Sequence, residues 1–412
     1  MKSLIKIFFL VVWTSISFAQ GSVYTRYGVG DLVYNYSARR FGMGNLGIAV
    51  SDKDFISGVN PAGWNSIGLT RMEASVAFGS KIIGDANDSY FFKNTLFKGI
   101  TFAVPIQRDY GITFSFGVLP YSRVDYDVEI PVKSSNVGEF TQALTGKGGL
   151  SKIYLGGSYR LPFGFSLGAS FDYYFGDIVY SSTLIFPDTS SFKTVGYVMK
   201  KSSLGMGATF GMLSPDISKF LGASKIKNLR VGAVFSLTTK LNTDTTISTN
   251  NLVGSNQIAN GLAETKLPSR MGLGVSFVYS NNYLFTFDFL TQNWAEYEFA
   301  NKTESYLGQA FKFSWGMEYF REISEFSSFW EQIRYRFGLS YEKTPFTVLG
   351  NDVFKSSVSA GISFPMGVYN SIDIGIAGGI MGKKGNKTLE EKFLEARIAL
   401  SFGERWFIRK NR

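Results

Sequence analysis

The feature that most constrains this chain is a period of two. In its second half, apolar and polar residues alternate through one roughly ten-residue segment after another. Phe311, Phe313, Trp315, Met317 and Tyr319 interleave with Lys312, Ser314, Gly316 and Glu318. Ile333, Tyr335, Phe337, Leu339 and Tyr341 interleave with Arg334, Arg336, Gly338, Ser340 and Glu342. A period of two puts the two sets on opposite faces of a β-strand. One face here is greasy and aromatic, and the other carries charge. A soluble sandwich would bury the greasy face. A transmembrane barrel turns it to lipid and keeps the polar face in its lumen.

The chain start decides the destination. Lys2 and Lys6 precede an apolar stretch from Ile7 to Val12, and Ser17-Phe18-Ala19 supplies small residues for cleavage. This reads as a signal peptide over residues 1–19, with a mature chain from Gln20. A single N-terminal anchor is the alternative, but the apolar stretch is shorter than the roughly 20 residues that a spanning helix needs. No later stretch spans as a helix.

Composition narrows the chemistry. The chain has no cysteine and no histidine. That removes disulfides, His-based acid–base catalysis, the usual triads and His metal sites. No EF-hand spacing appears, so no metal or cofactor is expected, and the chain does not read as an enzyme. Aromatic residues make up 16% and charged residues 18%. Lipid-facing bands exclude charge and interface girdles favour Tyr, Trp and Phe, so a barrel explains both values. Lys2 and Lys6 account for two of the net +10 charges, leaving about +8 on the mature chain. For an exported chain this points to outer-membrane lipid or lipopolysaccharide rather than nucleic acid.

Alternation and turn signals place strands near 71–82, 97–106, 110–123, 149–160, 164–180, 194–212, 228–243, 264–280, 283–298, 309–321, 331–343, 353–364, 370–382 and 390–403. The expected fold is therefore all-β, an antiparallel transmembrane barrel of about fourteen strands in the bacterial outer membrane. Glycine-rich stretches around Gly205-Met206-Gly207 and Gly272-Leu273-Gly274 leave room inside the lumen. Tight connections alternate with stretches that read as long polar loops, Val124 to Gly148 and Ile247 to Leu262. Ser214 to Asn228 and Glu322 to Trp330 are long for periplasmic turns, and short helices are expected there. The last strand reaches Phe402; Phe402 or Phe407 would carry a terminal aromatic assembly signal, ahead of a basic tail over 405–412.

The segment before the first strand does not alternate. It holds Gly42, Gly44 and Gly47, then Asp52 and Asp54, then Asn60-Pro61-Ala62-Gly63. Glycines permit close backbone approach, and Pro61 holds Asn60 away from helical geometry. Asn60 can bond neighbouring backbone groups. Such irregular chain is tolerated at membrane depth inside a lumen. A periplasmic tail with a tight turn at Asn60-Pro61 is the alternative. This run resembles the N-terminal hatch of the FadL long-chain fatty acid transporter family, and Tyr24 to Leu32 resembles a branch of FadL-like outer-membrane proteins. The resemblance implies a 14-stranded barrel over 71–404 plugged by a hatch over 20–70.

The polar strand faces carry Glu73, Asp172, Asp288, Lys312, Glu318, Arg334, Arg336, Glu342, Asp373, Glu395 and Arg397. These lumen charges either solvate a wet bore or pair with Arg39, Arg40, Asp52 and Asp54 of the N-terminal segment. The resemblance implies a hatch-gated channel for hydrophobic small molecules such as fatty acids, released sideways through the wall. Proline removes a ladder hydrogen bond, so Pro105 and Pro120 mark a candidate lateral opening; each could instead just end its strand. The other reading is a non-conducting accessory or scaffold barrel in a larger outer-membrane secretion or assembly complex, with other outer-membrane proteins as partners.

Overall fold

The computed structural model describes residues 22–84, 89–135, 137–187, 192–222, 225–251, 254–322, 327–385 and 388–405. The signal peptide with its cleavage point, Phe326, Phe407 and most of the basic tail lie outside the described residues.

Fourteen antiparallel strands close into one barrel. We number them β1 (Thr70–Gly84), β2 (Ser89–Gln107), β3 (Ile112–Pro120 and Ser122–Ser134), β4 (Gly138–Gly148 and Ser151–Arg160), β5 (Ser166–Ile185), β6 (Val195–Leu213) and β7 (Ile226–Thr238 and Leu241–Asn251). The others are β8 (Gly254–Lys266 and Arg270–Tyr279), β9 (Tyr283–Asn293), β10 (Gln309–Tyr319), β11 (Arg334–Val348), β12 (Asn351–Met366), β13 (Asn370–Gly385) and β14 (Thr388–Glu404). Each strand pairs with its neighbours in sequence, and β1 closes the ring against β14 from Thr70↔Glu404 to Gly84↔Glu390. Closure removes free sheet edges, which a bilayer would not tolerate.

The alternation sets the two faces as the sequence predicts. Phe313, Tyr335, Leu339, Tyr341, Phe171 and Leu167 are exposed on the outside. Their neighbours Lys312, Ser314, Glu318, Arg336, Ser170 and Asp172 are buried inside. Such outward rings would be costly in water and are favourable in hydrocarbon. Tyr110, Tyr159, Phe163, Tyr279, Tyr283 and Tyr335 are exposed beside the turns at one end. They form an aromatic girdle at that membrane interface. Both ends of the barrel chain, Thr70 and Glu404, lie at this end, the periplasmic side in a barrel of this kind.

The stretches 124–148 and 247–262 are not polar loops. Ser122–Ser134 pairs with Gly138–Gly148, continuing β3 and β4, and Leu241–Asn251 pairs with Gly254–Lys266, continuing β7 and β8. Val128 pairs with Leu144, and Thr245 with Gly261, so the ladder runs on beyond the apolar band. Val124, Tyr126 and Leu241 are buried at the bases of these extensions, and the polar composition farther out reflects strands wetted on both faces. The two long periplasmic connections carry short helices, Ser218–Leu221 and Phe329–Gln332.

Candidate functional site

The N-terminal segment runs through the lumen from the outer end to the periplasmic end. At the outer end the Ser22 hydroxyl donates to Glu391 (2.6 Å), and the Tyr24 hydroxyl donates to the Leu389 carbonyl (2.5 Å). A two-residue strand, Asp31–Leu32, pairs with Arg123 and Ser122 of β3. Tyr34 donates to Glu342 (2.7 Å), and Tyr36 donates to Glu73 (2.8 Å). A short helix, Ala38–Phe41, is capped by Ser37.

Below that helix the segment lies directly on the wall. An added Cβ on Gly338 would sit 2.2 Å from the Gly44 nitrogen, so no larger residue fits there. Gly44 itself has φ +78°, a conformation that L side chains rarely adopt. Asp288 accepts from the Gly47 and Ile48 amides at 2.9 and 2.8 Å. The Asn60 side chain accepts from the Ala62 amide (3.0 Å) and donates to the carbonyls of Ile48 (2.9 Å) and Met212 (3.2 Å). It thereby caps the turn Pro61–Ser66 and ties it to β6. Pro61 and Ala62 pack on Gly168 and Gly211, and Gly63 packs against Ser57.

Charge fixes this lower region. Glu318 is held between Arg39 of the segment and Arg336 of β11, and Arg336 also donates to Asp373 (2.7 Å). These side chains are at most 2% exposed. Asp54 pairs with Arg71 and Arg334. Arg397 donates to the Asn35 carbonyl (2.8 Å) with its guanidinium 3.8 Å from the Phe41 ring centre. Asp172 binds Lys152 of the wall and makes no ion pair with the segment among the described residues. Asp52 pairs with Arg39, inside the segment itself. Arg40 is buried, and its Nη1 makes no hydrogen bond among the described residues.

The upper lumen is filled differently. Tyr24, Val29, Tyr121, Trp294, Tyr297 and Phe346 belong to one apolar cluster drawn from the segment and the inner strand faces. The periodicity on which the strand reading rests treats inward positions as polar, so this core was not legible.

One seam of the wall is open. The β2–β3 ladder runs from Gln107↔Ile112 up to Ile100↔Val118 and stops. Above it, residues 89–99 pair with β1 only, while 122–134 pair with β4 and with Asp31–Leu32. A bulge at Lys98 turns that side chain inward to Glu395 (3.3 Å), and Gly99 has φ +134°. Pro120 stands at the break. Pro105 does not; it is paired opposite Thr113 in the intact lower ladder. Its lost amide bond is accommodated by a register shift beside it, between Pro105 and Gln107. A cavity of about 580 Å³ lies behind the open seam. Lys98, Arg123, Lys312 and Arg397 line it beside Asp125, Glu342 and Glu395, and Phe97 and Leu394 of the lipid face also border it.

Comparison with known proteins places this geometry. The profile of the BamG family matches residues 1–411. The chain belongs to the BamG family. No curated protein matches it. Among solved structures it is similar to the toluene transporter TodX of Pseudomonas putida, at 13% identity and a TM-score of 0.59, over 92% of this chain and 100% of that one. A FadL homologue of Pseudomonas aeruginosa aligns at 13% identity and a TM-score of 0.61, over 90% and 98%. The toluene transporter TbuX of Ralstonia pickettii aligns at 13% and 0.57, over 90% and 99%. This BamG-family chain therefore has the FadL-type outer-membrane barrel fold that its sequence resembles. TodX and TbuX are toluene transporters.

The periplasmic connections of this BamG-family protein expose aromatic rings. Phe220 is 86% exposed and Trp330 74% exposed. Phe329 packs edge-on to Trp330, with ring centres 5.5 Å apart, and a Ser328–Glu331 capping box holds the turn. In the other connection Asp216 receives the Ser218 and Asn228 amides. Burial works to raise the Asp216 carboxyl, but those hydrogen bonds outweigh it and hold the group below its ordinary range.

Proposed function

We propose that this protein is an accessory barrel of a larger outer-membrane complex, with residues 22–69 acting as a fixed plug and the outer surfaces doing the work. The single observation behind this reading is the buried ionic lock of Arg39, Glu318, Arg336 and Asp373. Removing one partner of such a lock leaves an uncompensated buried charge, at a cost of about 3–5 kcal/mol. A gate meant to swing open would have to bear that cost in every cycle. The exposed aromatics of the two periplasmic connections offer a docking surface, and the BamG profile spans nearly the whole chain. Purification in gentle detergent tests the proposal. Stoichiometric outer-membrane partners that are lost on joint Phe220→Ser and Trp330→Ser substitution support it; a single band from the wild type sinks it.

A second reading is favoured by the open β2–β3 seam: passage of hydrophobic molecules sideways through the wall, as the transporter fold suggests. In this reading Pro120 lies at the opening, and fatty acid is one candidate cargo. Uptake of a hydrophobic probe by cells carrying the wild type, or a variant lacking residues 20–64, separates hatch gating from side entry. Unchanged uptake in the deletion counts against gating.

A further inference from the structure

The cavity behind the β2–β3 seam is poorly suited to a hydrocarbon. Seven lysines and arginines line it against four carboxylates. Most of these cations are already paired: Lys98 and Arg397 with Glu395, Lys312 with Glu342, Arg123 with Asp125. Lys147 and Lys355 have no ion pair among the described residues, and Lys355 rests only over the Phe393 ring, 4.7 Å from its centre. Covering these ammonium groups with an alkane would strip their water without replacing it, which is strongly unfavourable. Lys147 is exposed and Lys355 half-buried, so both ammonium groups are free to give an anion charge-assisted hydrogen bonds at the cavity mouth.

The mouth of the cavity says what kind of anion. It is bordered by Phe97 and Leu394, each 55% exposed on the lipid face, and it opens where the wall has no ladder. A ligand arriving from the bilayer meets a greasy lip first and a cationic interior second. That order matches an amphiphile entering head first with its chains left outside.

We propose that the seam is a binding site for the phosphate-bearing head of a bilayer lipid, held by Lys147 and Lys355 while its acyl chains lie along Phe97 and Leu394. Lysine suits this task as a point charge on a flexible stem that can follow a head of variable position. The inference rests on the cavity and goes beyond both functional readings: an intact partner complex without retained lipid would sink it alone.

Native mass spectrometry of the purified full chain provides the test, with phosphatidylglycerol, neutral diacylglycerol, oleate and inorganic phosphate added separately. Phosphatidylglycerol should be retained one-to-one under conditions that strip diacylglycerol. Joint Lys147→Gln and Lys355→Gln substitution should lower retention at least tenfold. Joint Lys133→Gln and Lys200→Gln substitution, on exposed lysines outside the cavity, should leave it unchanged. Equal retention in the Lys147/Lys355 variant overturns the proposal. So does oleate held as firmly as the phospholipid, which would assign a carboxylate site. Displacement of the lipid by low-millimolar phosphate would assign a free-anion site and also overturn it.

Discussion

The lower and upper halves of the lumen solve the same problem in opposite ways. Both must fill a barrel with chain that makes no regular ladder. The lower half does so with glycine contacts and buried ions: Gly44 on Gly338, amides on Asp288, Arg39 and Arg336 on Glu318. The upper half does so mainly with rings, Trp294, Tyr297, Phe346 and Tyr24, pinned at a few points by Ser22 on Glu391 and Asp31–Leu32 on β3, and leaves a cationic cavity beside an open seam. Directional contacts fix a position, whereas apolar packing tolerates adjustment. The contrast therefore assigns a fixed floor below and an adaptable compartment above.

The sharpest way to break this contrast is Glu318→Ala, which removes the link between Arg39 and Arg336 and leaves them to Asp52 and Asp373. It deletes three charge-assisted hydrogen bonds, worth about 1.5–3 kcal/mol each, and should give the largest fall in thermal midpoint in detergent. Gly338→Val should cost roughly 1–3 kcal/mol or more by forcing the segment off the wall, with increased proteolysis of residues 37–66. In the upper half, Tyr34→Phe removes one hydroxyl from Glu342, and about 1.5–3 kcal/mol is at stake for a hydrogen bond to a charged group. The smallest effect belongs to the periplasmic rim. The Asp216 carboxyl lies below its ordinary range, so its contribution is present at neutral pH and fades as pH falls through that lowered value. Limited proteolysis should cut residues 214–228 faster only under acid conditions, and Asp216→Asn should cut equally at both.

Much of the barrel was legible because a bilayer imposes a simple rule on each strand. Phe313 and Lys312 announce opposite faces whatever surrounds them. Asn60 was legible too, since few residues can satisfy irregular backbone so locally, and its capping of Ala62 is what that chemistry suggests. The strands that extend β3, β4, β7 and β8 outward were hidden because their outer parts are wetted on both faces and lose alternation. Tyr121, Trp294 and Phe346 were hidden for the reverse reason, being apolar on the inward face. At the seam, the sequence offers Pro105 and Pro120 alike, and the bulge at Lys98 that separates their surroundings leaves no mark in spacing.

The most direct measurement is native-state hydrogen exchange at the Gly47 and Ile48 amides, which Asp288 holds inside the lumen. The fixed-floor account expects these amides to be protected as strongly as those of the barrel ladder, with or without a hydrophobic probe bound. Exchange far faster than that of the ladder would show that the lower segment moves and would contradict it.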